Sequence, residues 1–300
     1  MHSIVDYLIF SLILGIILNL PLLFLILWKK LLTIPDGLLV GGVVTLIIYL
    51  ISPFLWIALL AFFLSSSMVS KWKKNQKHTV SLEFSKGSKR DSIQVISNSF
   101  PAIIFGIIFF LADFIPNIST TNEISLFVQS PWLFAAFASL ATHNADTWMT
   151  EIGIITNKTP RLITSLRKSV PKGTSGGVTI IGSIAGIIGS MIISIMYVLS
   201  LIIVSEMPLL NILILFILLT IAGIIGGFID SLEGATVQCI FYCNYCLKET
   251  ERQIHKCGKE TEFRKGYRII TNDIVNISSA FISGCIAGIF YLFYTLFFIY

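Results

Sequence analysis

Of the 300 residues, 55% are hydrophobic and 12% charged, about half the charged share of a typical soluble domain. So little polar surface excludes a pair of soluble domains, a disordered chain, a disulfide-stapled secreted module and a free nucleic-acid binder. The net charge of +5 comes from 21 Lys and Arg against 16 Asp and Glu, and it is informative mainly through where those residues sit.

A helix needs about 20 residues to cross a hydrocarbon layer of ~30 Å. Uncharged stretches of that length run over 7–28, 37–70, 92–112, 124–145, 173–205, 207–229 and 274–300. The first has no basic flank and no small-residue cleavage site, so it reads as a retained helix rather than a cleaved leader. The second contains Ser52-Pro53. Proline disfavours helix at itself and at the preceding residue, which predicts two short helices at roughly 37–51 and 54–69. The chain therefore reads as an all-α polytopic membrane protein, one domain over 1–300, with seven or eight transmembrane or membrane-inserted helices. A small hydrophilic loop at 239–268 carries Cys and His.

The basic residues fall at Lys29-Lys30, Lys71–Arg90, Lys158–Lys172 and Lys248–Arg268, which together account for all 21. With eight spans all four groups lie on one side. The other side receives Asp6, Asp113, Glu123 and Glu206. The positive-inside rule then places the basic segments in the cytoplasm and both termini outside.

Polar residues concentrate at the same face. They are Asp91, Gln94 and Asn98 at a helix start; Asn144, Asp146, Thr147 and Glu151 at a helix end; and Thr174, Ser175 and two glycines opening the next helix. Asp230, Ser231, Glu233 and Gln238 close another, and Asn272, Asp273 and Asn276 open the last. Ionisable groups at membrane depth are costly and mark functional sites. Capping accounts for Asp91 and Asn272, but acids near helix C-termini oppose the macrodipole.

Asp146 and Glu151 are five positions apart, ~140° on a continuous helix, so sharing one cation requires the helix to end or unwind between them. Asp230 and Glu233, three apart, share a face. Hard oxygen ligands of this kind suit Mg²⁺ held with a substrate phosphate, giving Asp146, Asp230 and Glu233 as its ligands. Pairing with nearby Lys or Arg is the plainer alternative. Lys172-Gly173-Thr174-Ser175-Gly176-Gly177, read at a helix start, offers backbone N–H groups and a cation to a phosphate, although it is not a Walker A sequence. His143 reads as a packing residue, and Gly182, Gly186 and Gly189 as close helix contacts.

Cys243, Cys246, His255 and Cys257 suit tetrahedral Zn²⁺, with free thiols as the alternative. A reducing compartment disfavours a disulfide. Four protein ligands leave no open position, so the ion would be structural. Cys239 and Cys285 read as packing residues.

Several motifs together resemble the domain-of-unknown-function 92 family. They are Asn144-Ala-Asp146-Thr-Trp-Met-Thr-Glu151-Ile-Gly, Pro171-Lys-Gly-Thr-Ser-Gly-Gly177, Gly226-Gly-Phe-Ile-Asp230-Ser-Leu-Glu-Gly-Ala235 with Gln238, and Asn272-Asp-Ile-Val-Asn276. Ser97-Asn98 belongs to the same pattern, and the resemblance covers roughly residues 35–300. The family includes transmembrane protein 19 and the plant phytyl-phosphate kinase. Glu233 departs from it, standing where a variable or leucine-like residue is expected.

The resemblance implies a membrane-embedded kinase that turns a phytyl- or geranylgeranyl-like monophosphate into the diphosphate, with CTP or ATP as donor and Mg²⁺. Asp146, Glu151 and Asp230 are the implied catalytic residues. Arg90, Arg161 and Lys172 are candidates to meet phosphates. Asn98, Asn144, Gly173, Thr174, Ser175, Gly176, Gly177, Gln238, Asn272, Asp273 and Asn276 are candidates to line the lipid and nucleotide sites. An anionic phosphate acceptor needs no strong base, only positioning and charge neutralisation. A lipid-phosphate cytidylyltransferase would use the same parts. A transporter or flippase is the other alternative, although transporters usually place polar sites near the midplane.

Overall fold

A computed structural model describes residues 4–29, 31–73, 90–115 and 129–298, with many side chains of the first helix outside that description. Most of the second basic group (74–89) and the segment 116–128, with Glu123 and the start of the predicted 124–145 span, lie outside the described residues.

Helix α1 (Ile4–Lys29) is followed by α2 (Asp36–Ile51) and α3 (Pro53–Lys71). The break between α2 and α3 falls at Ser52-Pro53, as the sequence indicates. The Ser52 hydroxyl accepts the Leu55 N–H at 3.4 Å, and proline at the first helical position gives up no needed donor. The predicted span 92–112 is not one helix. It divides into α4 (Ser92–Ser97) and α5 (Phe100–Phe109), which runs into a π-helical turn at Phe110–Phe114. The division falls at Asn98-Ser99, just before Pro101, which has no N–H to donate back to the preceding turn.

Four long helices complete the bundle: α6 (Pro131–Ile155), α7 (Ile180–Val204), α8 (Leu209–Thr236) and α9 (Asn272–Phe298). Among the described residues, α3, α7, α8 and α9 are long and apolar enough to cross a membrane. α2 has 16 residues and is shorter than a full span. The expected count of seven or eight therefore extends beyond these four.

The all-α expectation needs one correction. Two small antiparallel sheets sit between the last helices. The first is β1 (Arg161–Leu162), β2 (Ser165–Ser169) and β3 (Gly177–Val178), in the order β2-β1-β3. The second is β4 (Ile240–Cys243), β5 (Lys248–Thr250) and β6 (Glu262–Lys265), in the order β5-β4-β6. Strands of two to five residues carry too little alternation to register as a period-two pattern.

α6 is the central helix. Every residue from Leu133 to Ala145 is buried, as expected for a helix surrounded by others. Phe134 and Phe137 both meet Tyr197 of α7 edge-on, with ring centroids 5.1 Å apart. Close approach depends on small residues. A Cβ on Gly189 would lie 2.9 Å from the Asn144 carbonyl oxygen, and one on Gly186 would run into Met149. The packing role read for these glycines is the one observed.

Chain direction fixes which ends coincide. α6 and α8 end, and α7 and α9 begin, where the two sheets attach. α3 ends there too, because Ser65 bonds Asn144 and Ser66 bonds Arg90. The α1–α2 junction joins them through Leu31 and Thr33, both bonded to the Arg90 backbone. Among the described residues, every segment bearing Lys or Arg lies at this one end. The α7–α8 turn, with Glu206, lies at the other.

Candidate functional site at the sheet-bearing end

α6 stays helical to Ile155, so it does not unwind between Asp146 and Glu151, although the two carboxylates still feel each other electrostatically. The Thr150 side chain stands beside Asp146, one turn on, and Asp230 of α8 is close enough to interact with it electrostatically. Gly227 lets α8 come this near: a Cβ there would lie 3.5 Å from the Asp146 nitrogen. α9 supplies hydroxyls to the same cluster. Ser279 donates to Asp230 Oδ2 at 3.1 Å, and Ser278 donates to Glu233. Asp146, Asp230 and Glu233 are half-buried, and Asp230 also feels Glu233 and Glu251. Carboxylates of two helices thus stand within electrostatic range of one another, but among the described residues the group of three or more metal-ligating side chains gathered around one point is Cys243, Cys246, His255 and Cys257.

Glu151 interacts electrostatically with Arg90 as well. The Arg90 Nη2 donates to Ser66 Oγ at 2.6 Å, and its guanidinium lies 4.7 Å from the Phe62 ring centroid and 5.5 Å from that of Phe63. Its backbone is held on both sides, N–H to Leu31 O at 3.3 Å and C=O from Thr33 N–H at 3.0 Å. Burial pulls its pKa down to about 10, which leaves it charged at neutral pH. Beside it is an apolar cavity of about 50 Å³ lined by Val44, Leu59, Phe62 and Phe63, with Arg90 and Asn98 in its wall. Asn98 Oδ1 is buried without a hydrogen-bond partner, as is His143 Nε2. His143 packs beside Phe62, their ring centroids 6.1 Å apart.

The remaining candidates divide into those near the acids and those already engaged. Asn144 is fully buried. Its Oδ1 accepts from Ser65 Oγ at 2.8 Å and its Nδ2 donates to Gly189 O at 2.7 Å, so it ties α3, α6 and α7 together. Asp91 and Gln94 form a capping box on α4. Lys172 is exposed, and its Nζ donates to the carbonyls of Ile154 and Thr156 at 3.1 and 2.5 Å, where it caps the end of α6. Arg161, also exposed, donates to Leu166 O. Asn272, Asp273 and Asn276 occupy the first turns of α9, half-buried. Asn276 lies on the face that carries Ser279, three residues on.

The glycine segment is not at a helix start. α7 begins at Ile180 with Thr179 as its cap, and Gly173 to Gly176 form a turn ahead of β3. Gly176 has φ +80° and sits on α8, where a Cβ would lie 2.8 Å from the Ala235 Cα; only glycine meets both demands. Gly177 N–H closes the turn onto Thr174 O at 3.0 Å. Ser175 Oγ donates to Gln238 Oε1 at 2.8 Å, and Gln238 Nε2 donates to Glu251 Oε1 at 2.9 Å. This relay links the turn to the second sheet.

In that sheet the ligand atoms of Cys243, Cys246, His255 and Cys257 all lie within 4.8 Å of one another. The backbone N–H of Cys246 points at Cys243 Sγ at 3.5 Å, which holds the Cys243 thiol below its ordinary pKa. Burial pushes Cys246 up to about 11.

Ser65, Ser66, Ser278, Ser279 and Glu251 join the site without having been singled out in the sequence. The signal for the serines was a hydroxyl run inside an apolar helix. Glu251 had none, since acids are common in hydrophilic loops.

The sequence is 29% identical to Protein PGR of Arabidopsis thaliana over 289 residues, covering 93% of this chain and 96% of that protein. It is 28% identical to an uncharacterized membrane protein of Methanocaldococcus jannaschii over 240 residues, covering 78% of this chain and 75% of that one. No solved structure matches. The match to the family described as integral membrane protein DUF92 spans residues 17–284, nearly the whole bundle and both sheets, and the chain belongs to that family.

Proposed function

We propose that this chain is a membrane-embedded kinase that phosphorylates an isoprenoid monophosphate to the diphosphate, using CTP or ATP and Mg²⁺. The observation that carries the reading is that Asp146 and Asp230, from separate helices, lie within electrostatic range of each other at the end of the bundle that holds the basic segments. Asp146, Asp230 and Glu233 would hold Mg²⁺, which supplies charge neutralisation to the donor triphosphate. Arg90 meets the acceptor phosphate, and the apolar cavity beside it takes the first part of the lipid tail. The Gly173–Gly177 turn, hinged on Ser175 and Gln238, borders the donor side.

In the reaction a non-bridging oxygen of the lipid phosphate attacks the donor γ-phosphorus. The bond from that phosphorus to the β–γ bridging oxygen breaks, and the nucleoside diphosphate leaves with that oxygen. No proton is consumed when the acceptor is a dianion, so the scheme needs no catalytic histidine. The positive-inside rule puts this end in the cytoplasm, where nucleotides are.

Purified protein given prenyl phosphates of several chain lengths, γ-labelled CTP or ATP and Mg²⁺ is expected to yield labelled prenyl diphosphate. A CDP-lipid with release of inorganic diphosphate would instead identify a cytidylyltransferase. Movement of lipid phosphate across liposomes without nucleotide would identify a transporter.

A further inference from the structure

We infer that Cys243, Cys246, His255 and Cys257 bind one structural Zn²⁺, and that this ion acts as a remote latch on the Ser175 turn through Glu251 and Gln238. The metal assignment rests on geometry. Thiolates 2.3 Å from a tetrahedral zinc stand about 3.8 Å apart; Cys243 Sγ and Cys257 Sγ are 3.8 Å apart. The His255 Nδ1 lies 3.1 Å from Cys257 Sγ. The widest separation in the set, within 4.8 Å, is about 1 Å beyond the tetrahedral edge. All four groups are soft or borderline ligands, Cys243 and His255 are buried, and all the cysteines are unbridged. Their supports are tight turns. Leu247, with φ 55°, follows Cys246, and Gly258, with φ 80°, follows Cys257. His255 N–H bonds Lys259 O at 2.9 Å.

Glu251 directly follows β5 and sits inside the loop that zinc would close, between Cys246 and His255. Its carboxylate accepts from Gln238 Nε2, and Gln238 Oε1 accepts from Ser175 Oγ. The Gln238 side chain is buried, so losing Glu251 would leave its amide donor without a partner, a costly state. The same sheet is pinned to the end of α8 on its far side. Lys265 Nζ donates to Ala235 O at 2.9 Å, and Gly266, with φ +83°, seats directly on the Gln238 carbonyl. An ion closing residues 243–257 therefore fixes a carboxylate that reaches the Ser175 turn through Gln238. Glu251 and Gln238 are positioning residues in this scheme, and zinc takes no part in any chemical step.

Elemental analysis of the full chain, purified in detergent under reducing conditions without chelators, is expected to give about one zinc per chain. Cys243→Ser and His255→Ala should lose it, and Cys285→Ser should keep it. Hydrogen–deuterium exchange then tests the latch on the unmutated protein. Stripping zinc with a chelator should raise exchange at 171–178 several-fold, and returning zinc should restore it. Gln238→Leu should produce the same loosening at 171–178 with zinc still bound. Protein without zinc overturns the metal assignment, as does retention of zinc by both ligand variants. Unchanged exchange at 171–178 after stripping, or in Gln238→Leu, overturns the latch. None of these readouts involves phosphoryl transfer, so they stand or fall apart from the kinase reading.

Discussion

Asp146 and Asp230 come from different helices, yet α6 and α8 bring their carboxylates within electrostatic reach, each with a hydroxyl donor beside it. Asp146→Asn and Asp230→Asn keep shape and remove charge. Each is expected to slow phosphoryl transfer about 100-fold or more, the scale of losing several kcal/mol of metal-borne stabilisation, with normal membrane insertion. In the proposed reaction Arg90 acts on the acceptor instead. Arg90→Gln should raise KM for the lipid phosphate about 10-fold or more while kcat falls less, read from initial rates at varied lipid. Asn144 is a contrasting case. With both ends of its amide engaged, Asn144→Ala should destabilise the protein by about 1–3 kcal/mol and leave both KM values nearly unchanged, as thermal unfolding and kinetics would show. The sequence singled out Asn144 and the acids alike, because a buried amide that ties helices together and a carboxylate proposed for catalysis look the same at membrane depth. Their partners distinguish them, and those partners come from distant parts of the chain.

At the scale of elements, the glycines of α7 were legible because small residues at helical spacing mark close helix contact. Gly189→Leu would drive its side chain against the Asn144 carbonyl and Trp148. It is expected to reduce the yield of monodisperse protein and lower the Tm in detergent, on the order of 1–3 kcal/mol for overpacking. The Ser52-Pro53 break was equally readable, since it needs only proline chemistry and a hydroxyl cap. The glycine turn was misplaced at a helix start. Thr179, two residues beyond the segment, is the cap that stops α7 from extending back, and Gly173 and Gly176 adopt positive φ. Neither sheet was foreseen, because its short polar strands are held by pairing across the loop and by packing on the ends of α6 and α8.

For the whole molecule, charge segregation along the chain becomes segregation in space. Four basic groups, distant in sequence, lie at one end wherever the residues are described, and the acid cluster lies there too. This makes the topology testable. Epitopes inserted at Asn157 and Lys259 should be accessible only from the cytoplasm, and one after Glu206 only from the opposite side. Accessibility of Glu206 and Asn157 from the same side would separate the acid cluster from the nucleotide compartment. The sequence displayed this organisation because the positive-inside rule acts on composition. It did not display the apolar cavity beside Arg90, which α1, α2, α3 and the segment from Arg90 to Ser99 line together.

The most direct test is transfer of the γ-phosphate to a prenyl monophosphate by purified protein in lipid nanodiscs with Mg²⁺, comparing the unmutated chain with Asp146→Asn and Asp230→Asn. The expected result is labelled prenyl diphosphate and stoichiometric nucleoside diphosphate from the unmutated protein, with near-complete loss in both correctly folded variants. The account would be contradicted if no prenyl phosphate in the panel became labelled, or if both variants kept most of the unmutated rate.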